Sequence, residues 1–169
     1  MGAELEIRVL GPEHLDSVYE IELLSFSHPW SRESYHYELL ENGLAHYYGC
    51  FVREELVAFA GIWLVLDEGH IANVAVRPEY RGQGLGKLLM QRVIADCLAQ
   101  GISWITLEVR ESNQQARRLY QRLGFGLAGR RKGYYTLPNE DALVMTLNLK
   151  GYRLPADRPG RFPENTRDK

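Results

Sequence analysis

The chain has 169 residues, enough for one domain with its own core, and at 45% hydrophobic and 25% charged its composition is ordinarily globular. A formal net charge of -2 excludes the overall electrostatic footprint of a general nucleic-acid binder, while a local basic patch stays open. Cys50 and Cys97, the only cysteines, lie among apolar neighbours without a partner at metal spacing, which predicts two small buried side chains and suits a reducing cytosol.

The start, Met1 to Glu6, is acidic and lacks the basic and apolar regions of a signal peptide. The most apolar stretch, Leu56 to Leu66, falls well short of the ~20 residues that span a bilayer. A soluble cytoplasmic protein is expected, with no membrane partner. Glu6 to Leu10 reads as a first strand, broken by Gly11-Pro12. Leu15, Val18, Ile21 and Leu24 then recur at helical spacing, with Pro12 suited to a helix start. After His28-Pro29-Trp30, Ser31 is placed to cap a second helix running to Leu40 and stopped near Asn42-Gly43.

Three strand-like runs follow, near Tyr47 to Arg53, Leu56 to Leu66 and His70 to Arg77, joined by links so short that neighbours should pair antiparallel. Pro78 ends the third. A long helix comes after the glycines at 82, 84 and 86, with Leu85, Leu89, Val93 and Cys97 four residues apart and Gly101 as its stop. Ile102 to Arg110 is a strand with Ile105, Leu107 and Val109 on one face and Thr106, Glu108 and Arg110 on the other. Asn113 to Leu123 reads as a helix ended by Gly124, before strands near Phe125 to Arg131 and Ala142 to Leu149. The order is mixed α/β without an internal repeat. Residues 1–150 form one domain in this reading; residues 151–169, rich in Pro, Arg and Asp, are expected to be a mobile tail.

Arg81-Gly82-Gln83-Gly84-Leu85-Gly86-Lys87 lies between a strand and a helix, where glycines let backbone N–H groups approach a ligand and the helix start adds partial positive charge. Phosphate is the ligand such a loop favours. The P-loop pattern fails, with Arg81 at the first glycine and Leu88 at the Ser/Thr position. The dinucleotide pattern fails as well, with Lys87 where its last glycine belongs. Taken alone, the cluster is equally readable as a tight turn.

The loop has company. Val74-Ala75-Val76-Arg77-Pro78-Glu79-Tyr80 leads into it, and Asn113, Ala116, Leu119-Tyr120 and Leu123-Gly124-Phe125 follow in order. Together, over roughly residues 5–149, these pieces resemble the two signatures of the GNAT acetyltransferase superfamily, the first written R/Q-x-x-G-x-G/A. Pro29-Trp30-Ser31, Leu107-Glu108-Val109-Arg110, Tyr120, Tyr134-Tyr135 and Glu140-Asp141-Ala142 are similar to its RimI-type branch, whose members acetylate the N-terminal alanine of a small-subunit ribosomal protein. Gly133 before the tyrosine pair is a small departure. The resemblance implies a mixed, mostly antiparallel twisted sheet of about seven strands, splayed between the fourth and fifth and flanked by about four helices. It also implies acetyl-coenzyme A as co-substrate, no metal, and a protein N-terminus as partner with no direct nucleic acid. Its pyrophosphate would rest on Gly82, Gln83, Gly84, Leu85, Gly86 and Lys87, and its pantetheine arm would lie along Val74, Ala75 and Val76 and against Asn113.

Acetyl transfer to an amine needs a neutral nucleophile, a polarised carbonyl and a donor for the departing thiolate. Glu108 is the candidate base: its strand neighbours are apolar, and burial would raise its pKa toward a useful range. Locally it is also readable as a solvated face residue or a partner of Arg110. Tyr120, two helical turns after Asn113, is the candidate acid, and otherwise a packed core tyrosine. The backbone N–H of Val76, at an expected strand distortion, is implied as the carbonyl's donor. Trp30, Tyr134 and Tyr135 are expected to grip the acceptor. The histidines at 14, 28, 36, 46 and 70 show no metal spacing. A lysine side chain, a polyamine or an antibiotic remain alternative acceptors, and a non-catalytic coenzyme A-binding module an alternative function.

Overall fold

A computed structural model describes residues 4–155. Seven strands form one sheet in the order β1-β2-β3-β4-β5-β7-β6. They are β1 (Leu5–Val9), β2 (Ala45–Val52), β3 (Glu55–Val65), β4 (Glu68–Val76), β5 (Trp104–Arg110), β6 (Gly126–Thr136) and β7 (Asn139–Asn148). Only the β4–β5 pair is parallel, because the helical crossover between them reverses the chain; the other neighbours are antiparallel. The helices are α1 (Leu15–Ser25), α2 (Arg32–Leu40), α3 (Leu85–Ala99) and α4 (Gln114–Arg122).

Both faces of the sheet are covered, so central β3 is buried continuously from Leu56 to Ile62. On one face the ladder Leu85, Leu89, Val93 and Cys97 of α3 packs with Ile105, Leu107 and Val109 of β5 and Tyr120 of α4. Each fully buried aliphatic side chain there contributes roughly 1.5–3 kcal/mol. On the other face α1 and α2 cover Tyr47, Phe59 and Ala75 with Leu15, Val18, Ile21 and Tyr35. Both cysteines are buried and free, Cys50 in β2 and Cys97 in α3.

Ser31 caps α2 as its sequence predicts, its Oγ accepting from the Ser34 N–H at 3.1 Å. The first helix departs from its apolar ladder: Leu24 is 49% exposed, whereas Glu22 is 2% exposed. Glu22 lies four residues after Val18 and so shares its inward face. The last two strands are longer than their apolar pattern and make one hairpin turning at Leu137-Pro138. β6 is the outermost strand and almost wholly solvent-facing, so residues 132–141 carry no alternation to read. Of the expected tail, Tyr152 is seated against the larger core and its hydroxyl donates to the Leu123 carbonyl at 2.5 Å. The rest of it, residues 156–169, lies outside the described residues. Among the described residues no helix is long and apolar enough to cross a membrane.

Candidate active site

β4 and β5 pair at only three positions, Glu68↔Trp104, Gly69↔Ile105 and His70↔Thr106. Beyond them the strands part. A register shift on β4, with Ala72 as the extra residue opposite Gly61 and Ile62, lies two residues past the last pair. Such a bulge bends its strand and increases its twist. The strand distortion therefore sits at Ala72 and not near Val76, which is in regular register with Ala58.

The Arg77 N–H donates to the Val57 carbonyl at 2.8 Å, which fixes the alternation of the ladder. Asn73 and Ala75 turn their backbone groups to β3; Val74 and Val76 turn theirs into the gap. The Val76 carbonyl accepts from Arg81 Nε at 2.9 Å. Of the three expected strand residues, Val74 and Val76 thus turn their amides into the gap, while Ala75 buries its side chain against α1 and α2.

At the end of β4, Pro78–Tyr80 form a short turn and the glycine loop follows. Gly82 (φ 75°) and Gly84 (φ 83°) occupy the left-handed region, and Gly84 is the residue before α3. Leu88 N–H is the first to bond back into the helix, to the Gly84 carbonyl at 3.1 Å. The N–H groups of Leu85 and Gly86 precede that bond, in the first turn, where the helix offers no carbonyl to them. Apart from the flanking residues of the loop, no atom of the described residues lies within 4 Å of where a Cβ on Gly82 or Gly84 would stand. Open space over a positive helix end fits a phosphate-bearing ligand laid across the loop. The Gln83 amide, expected to meet the ligand, donates to the Glu79 carbonyl at 3.4 Å.

Glu108 points to the α1–α2 side of the sheet, opposite Leu107 and Val109, and its side chain is 8% exposed. His70 Nε2 lies 2.6 Å from its Oε2, and an Arg131 guanidinium nitrogen lies 3.4 Å from its Oε1. The histidine was readable in the sequence only as one without metal spacing. The Ala72 bulge puts His70 and Asn73 on the same sheet face, and the parallel register sets His70 beside Thr106, two residues before Glu108.

Tyr120 lies on the other side, buried in the α3–α4 core. Burial pushes its phenol up to about 12, with Tyr135 adding to the shift. Tyr135 is likewise raised to about 12, by burial first and then by Tyr134, with Glu108 adding a smaller push and Arg110 opposing. Asn113 caps α4, its Oδ1 accepting from the Ala116 N–H at 3.1 Å.

The expected grip residues converge from two segments. Trp30 stacks on Trp63 (6.3 Å between centroids, 18° between planes), and Trp63 on His70 (5.5 Å, 29°). Tyr134 and Tyr135 meet edge to face at 5.0 Å, beneath the guanidinium groups of Arg131 and Arg110. Ser27 Oγ donates to the Leu137 carbonyl at 3.4 Å, joining the two segments. Through His70 on one side and Arg131 on the other, both aromatic groups lead to the buried Glu108 carboxylate, beside the split of the sheet.

Residues 15–125 match the acetyltransferase (GNAT) family. A protein of Bacillus subtilis (strain 168), provisionally named a ribosomal protein bS18-alanine N-acetyltransferase, is 42% identical over 149 residues, covering 88% of this chain and 99% of its own length. The ribosomal protein bS18-alanine N-acetyltransferase of Escherichia coli (strain K12) is 35% identical over 146 residues, 80% of this chain and 91% of that one. The crystal structure of the Escherichia coli ribosomal-protein-S18-alanine N-acetyltransferase superposes with a TM-score of 0.82 at 32% identity, covering 92% of this chain and 98% of that one. Arabidopsis thaliana NAA60 in complex with acetyl-CoA, 20% identical with a TM-score of 0.80 over 88% of this chain and 100% of that one, shares the fold.

Proposed function

The chain belongs to the acetyltransferase (GNAT) family, and from that premise we propose that it transfers the acetyl group of acetyl-coenzyme A to the N-terminal α-amine of a protein whose first residue is alanine. The observation that carries this reading is the pairing of the buried Glu108 with the half-buried His70 at the head of the split sheet, with Tyr120 across the sheet from it. The bS18 acceptor named for the relatives makes the N-terminus of a small-subunit ribosomal protein the first acceptor to test, and the cytoplasm its place of action.

Acetyl-coenzyme A supplies an activated acetyl group as a thioester. The glycine loop, Gly82 to Lys87, holds the pyrophosphate with its main-chain N–H groups, and the amides of Val74 and Val76 hold the arm in the gap. The Val76 N–H polarises the thioester carbonyl. Glu108 removes a proton from the acceptor, whose α-amine has a pKa of about 7.7–8.0. His70 occupies one oxygen of the carboxylate, so the other, near Arg131, is the one that faces the amine.

Tyr120 keeps its proton throughout neutral pH, since its phenol is raised to about 12. That makes it a poorer acid than a thiol of pKa about 8.5. Its part is to donate a hydrogen bond to the sulfur as charge develops, without handing over the proton outright. Glu108 takes the amine's proton and the leaving group departs as the thiolate, which takes its proton from solvent; base and donor act from opposite sheet faces, which keeps the incoming amine and the leaving thiolate apart.

A lysine amine near 10.4 is protonated over a hundredfold more than an α-amine near 8, so a carboxylate base favours the latter. The test compares kcat/KM on matched peptides, one with a free N-terminal alanine and one blocked there but carrying a lysine. The free α-amine should react faster by a wide margin; equal or higher activity on the blocked lysine peptide overturns the assignment.

A further inference from the structure

Glu22 is a buried carboxylate that the chemistry above does not use. It is 2% exposed, and burying such a group is costly unless its oxygens are well met. Both are. Oε1 accepts from the main-chain N–H of Trp30 at 2.9 Å, and Oε2 accepts from the Tyr35 hydroxyl at 2.6 Å. Tyr35 in turn accepts from Asn73 Nδ2 at 2.5 Å. The polarity of this chain is fixed: the phenol has one proton, given to Glu22, so it can only accept from Asn73.

The Trp30 end of the network matters most. The Trp30 ring stacks on Trp63, Trp63 stacks on His70, and His70 meets Glu108. Trp63 is itself held by Glu38, whose Oε2 accepts from Nε1 at 2.9 Å. Trp30 alone in this stack sits in a connecting segment between helices, and its ring also touches Tyr35 at 5.4 Å. Where the ring stands depends on where its main chain is tied, and Glu22 ties it.

We propose that Glu22 is a positioning residue for the acceptor site: by holding the main chain of Trp30 it sets the aromatic lip against the Trp63–His70 wall, and so fixes the entrance to Glu108. This rests on the reading that Trp30 and Glu108 flank the acceptor. Both donors to Glu22 demand an acceptor, and a glutamine offers only one oxygen. With that oxygen toward Tyr35, the amide NH2 faces the Trp30 N–H and the lip is released. With it toward Trp30, the Asn73–Tyr35 polarity must reverse. Tyr35→Phe, by contrast, breaks the inner half of the network and leaves the Trp30 bond in place.

The experiment compares Glu22→Gln and Tyr35→Phe with the unaltered chain, using the best acceptor the unaltered chain turns over. Failure of the α-amine reading then shows in the unaltered chain, and failure of the Glu22 assignment shows only in the variants. Calorimetric affinity for acetyl-coenzyme A, unchanged in both variants, certifies the fold. Glu22→Gln should raise the acceptor KM about tenfold, the size expected for a lost charged hydrogen bond, with a smaller effect on kcat. It should also weaken the near-ultraviolet circular dichroism of the stacked Trp30–Trp63 pair. Tyr35→Phe should lower stability and leave the acceptor KM where it was. If the dichroic signal survives in Glu22→Gln, its oxygen still ties Trp30 and Glu22→Ala, which offers no acceptor, takes its place; an unmoved KM in the variant that loses the signal, a signal that survives in Glu22→Ala as well, or an equal KM rise in Tyr35→Phe overturns the proposal. If Glu22→Gln fails to bind acetyl-coenzyme A, Glu22→Asp, which keeps two acceptor oxygens on a shorter arm, takes its place: a normal KM there, with the dichroic signal lost, is equally fatal.

Discussion

His70 Nε2 lies 2.6 Å from Glu108 Oε2, although the strands that carry them make their last ladder pair at His70. The side chains close the head of a gap that the backbones open. Glu108→Gln should therefore lower kcat by about 10²–10⁴-fold while leaving acetyl-coenzyme A affinity intact. His70→Ala should cost less. Because the two act as a unit, the double variant should be no slower than Glu108→Gln alone. Steady-state kcat for the four proteins decides it; losses that multiply would show independent roles.

Tyr120, raised to about 12 by burial, keeps its proton to roughly pH 10, two units below that value. The pH profile of kcat should rise as the acceptor amine loses its proton and show no descending limb below about pH 10. Tyr120→Phe should lower kcat by roughly 10–100-fold, the worth of a hydrogen bond to a charged group, by the same factor at every pH. A descending limb near pH 9 that vanishes in Tyr120→Phe would mean that the phenol titrates there and acts as a true acid.

The glycines of the loop should separate by role. Gly84 has φ 83°, so Gly84→Ala should cost about 1–2 kcal/mol of stability through the left-handed backbone alone. Gly84→Val should in addition block the ligand's approach and abolish binding of acetyl-coenzyme A. At Gly86 an added Cβ meets only the Leu119 side chain, at an ordinary 3.5 Å. Gly86→Ala should therefore bind normally and unfold at the same denaturant concentration or higher, since alanine is the better helix former. Calorimetry and denaturant titration of the three variants give both readings.

Burial also holds the phenols of Tyr35 and Tyr47 well above the ordinary value of 10.0. A phenol raised in the folded state holds its proton there after the unfolded chain has released it. Stability is therefore full below about pH 10 and falls as pH rises past it. The slope should approach ~1.4 kcal/mol per pH unit for each such phenol. Denaturant midpoints at pH 8, 10 and 11 should fall only over the last interval; a midpoint constant to pH 11 would show that these rings ionise freely in the folded chain.

Much of the architecture was legible because it is written in periodicities. The alternation of Ile105, Leu107 and Val109 placed Glu108 on the opposite face, and Ser31 marked a helix start. Three things were hidden, each for a physical reason. His70 owes its partner to a parallel register between strands thirty-odd residues apart, which no local pattern carries. The hairpin of β6 and β7 runs through solvent-facing residues, where nothing selects for apolar alternation. Glu22 is hidden because an apolar ladder contains no carboxylate; its place four residues after Val18, on the inward face, is the signal the sequence carries.

The parting of β4 from β5 has a kinetic consequence for single atoms. Along β4 the N–H groups of Asn73 and Ala75 are locked to β3, whereas those of Val74 and Val76 have no strand across from them among the described residues. Their deuterium uptake is governed by local fluctuation, and that of their neighbours by larger openings of the sheet. One strand should thus exchange fast and slow in alternation, residue by residue, and the fast half is the half that a molecule lying in the gap would silence.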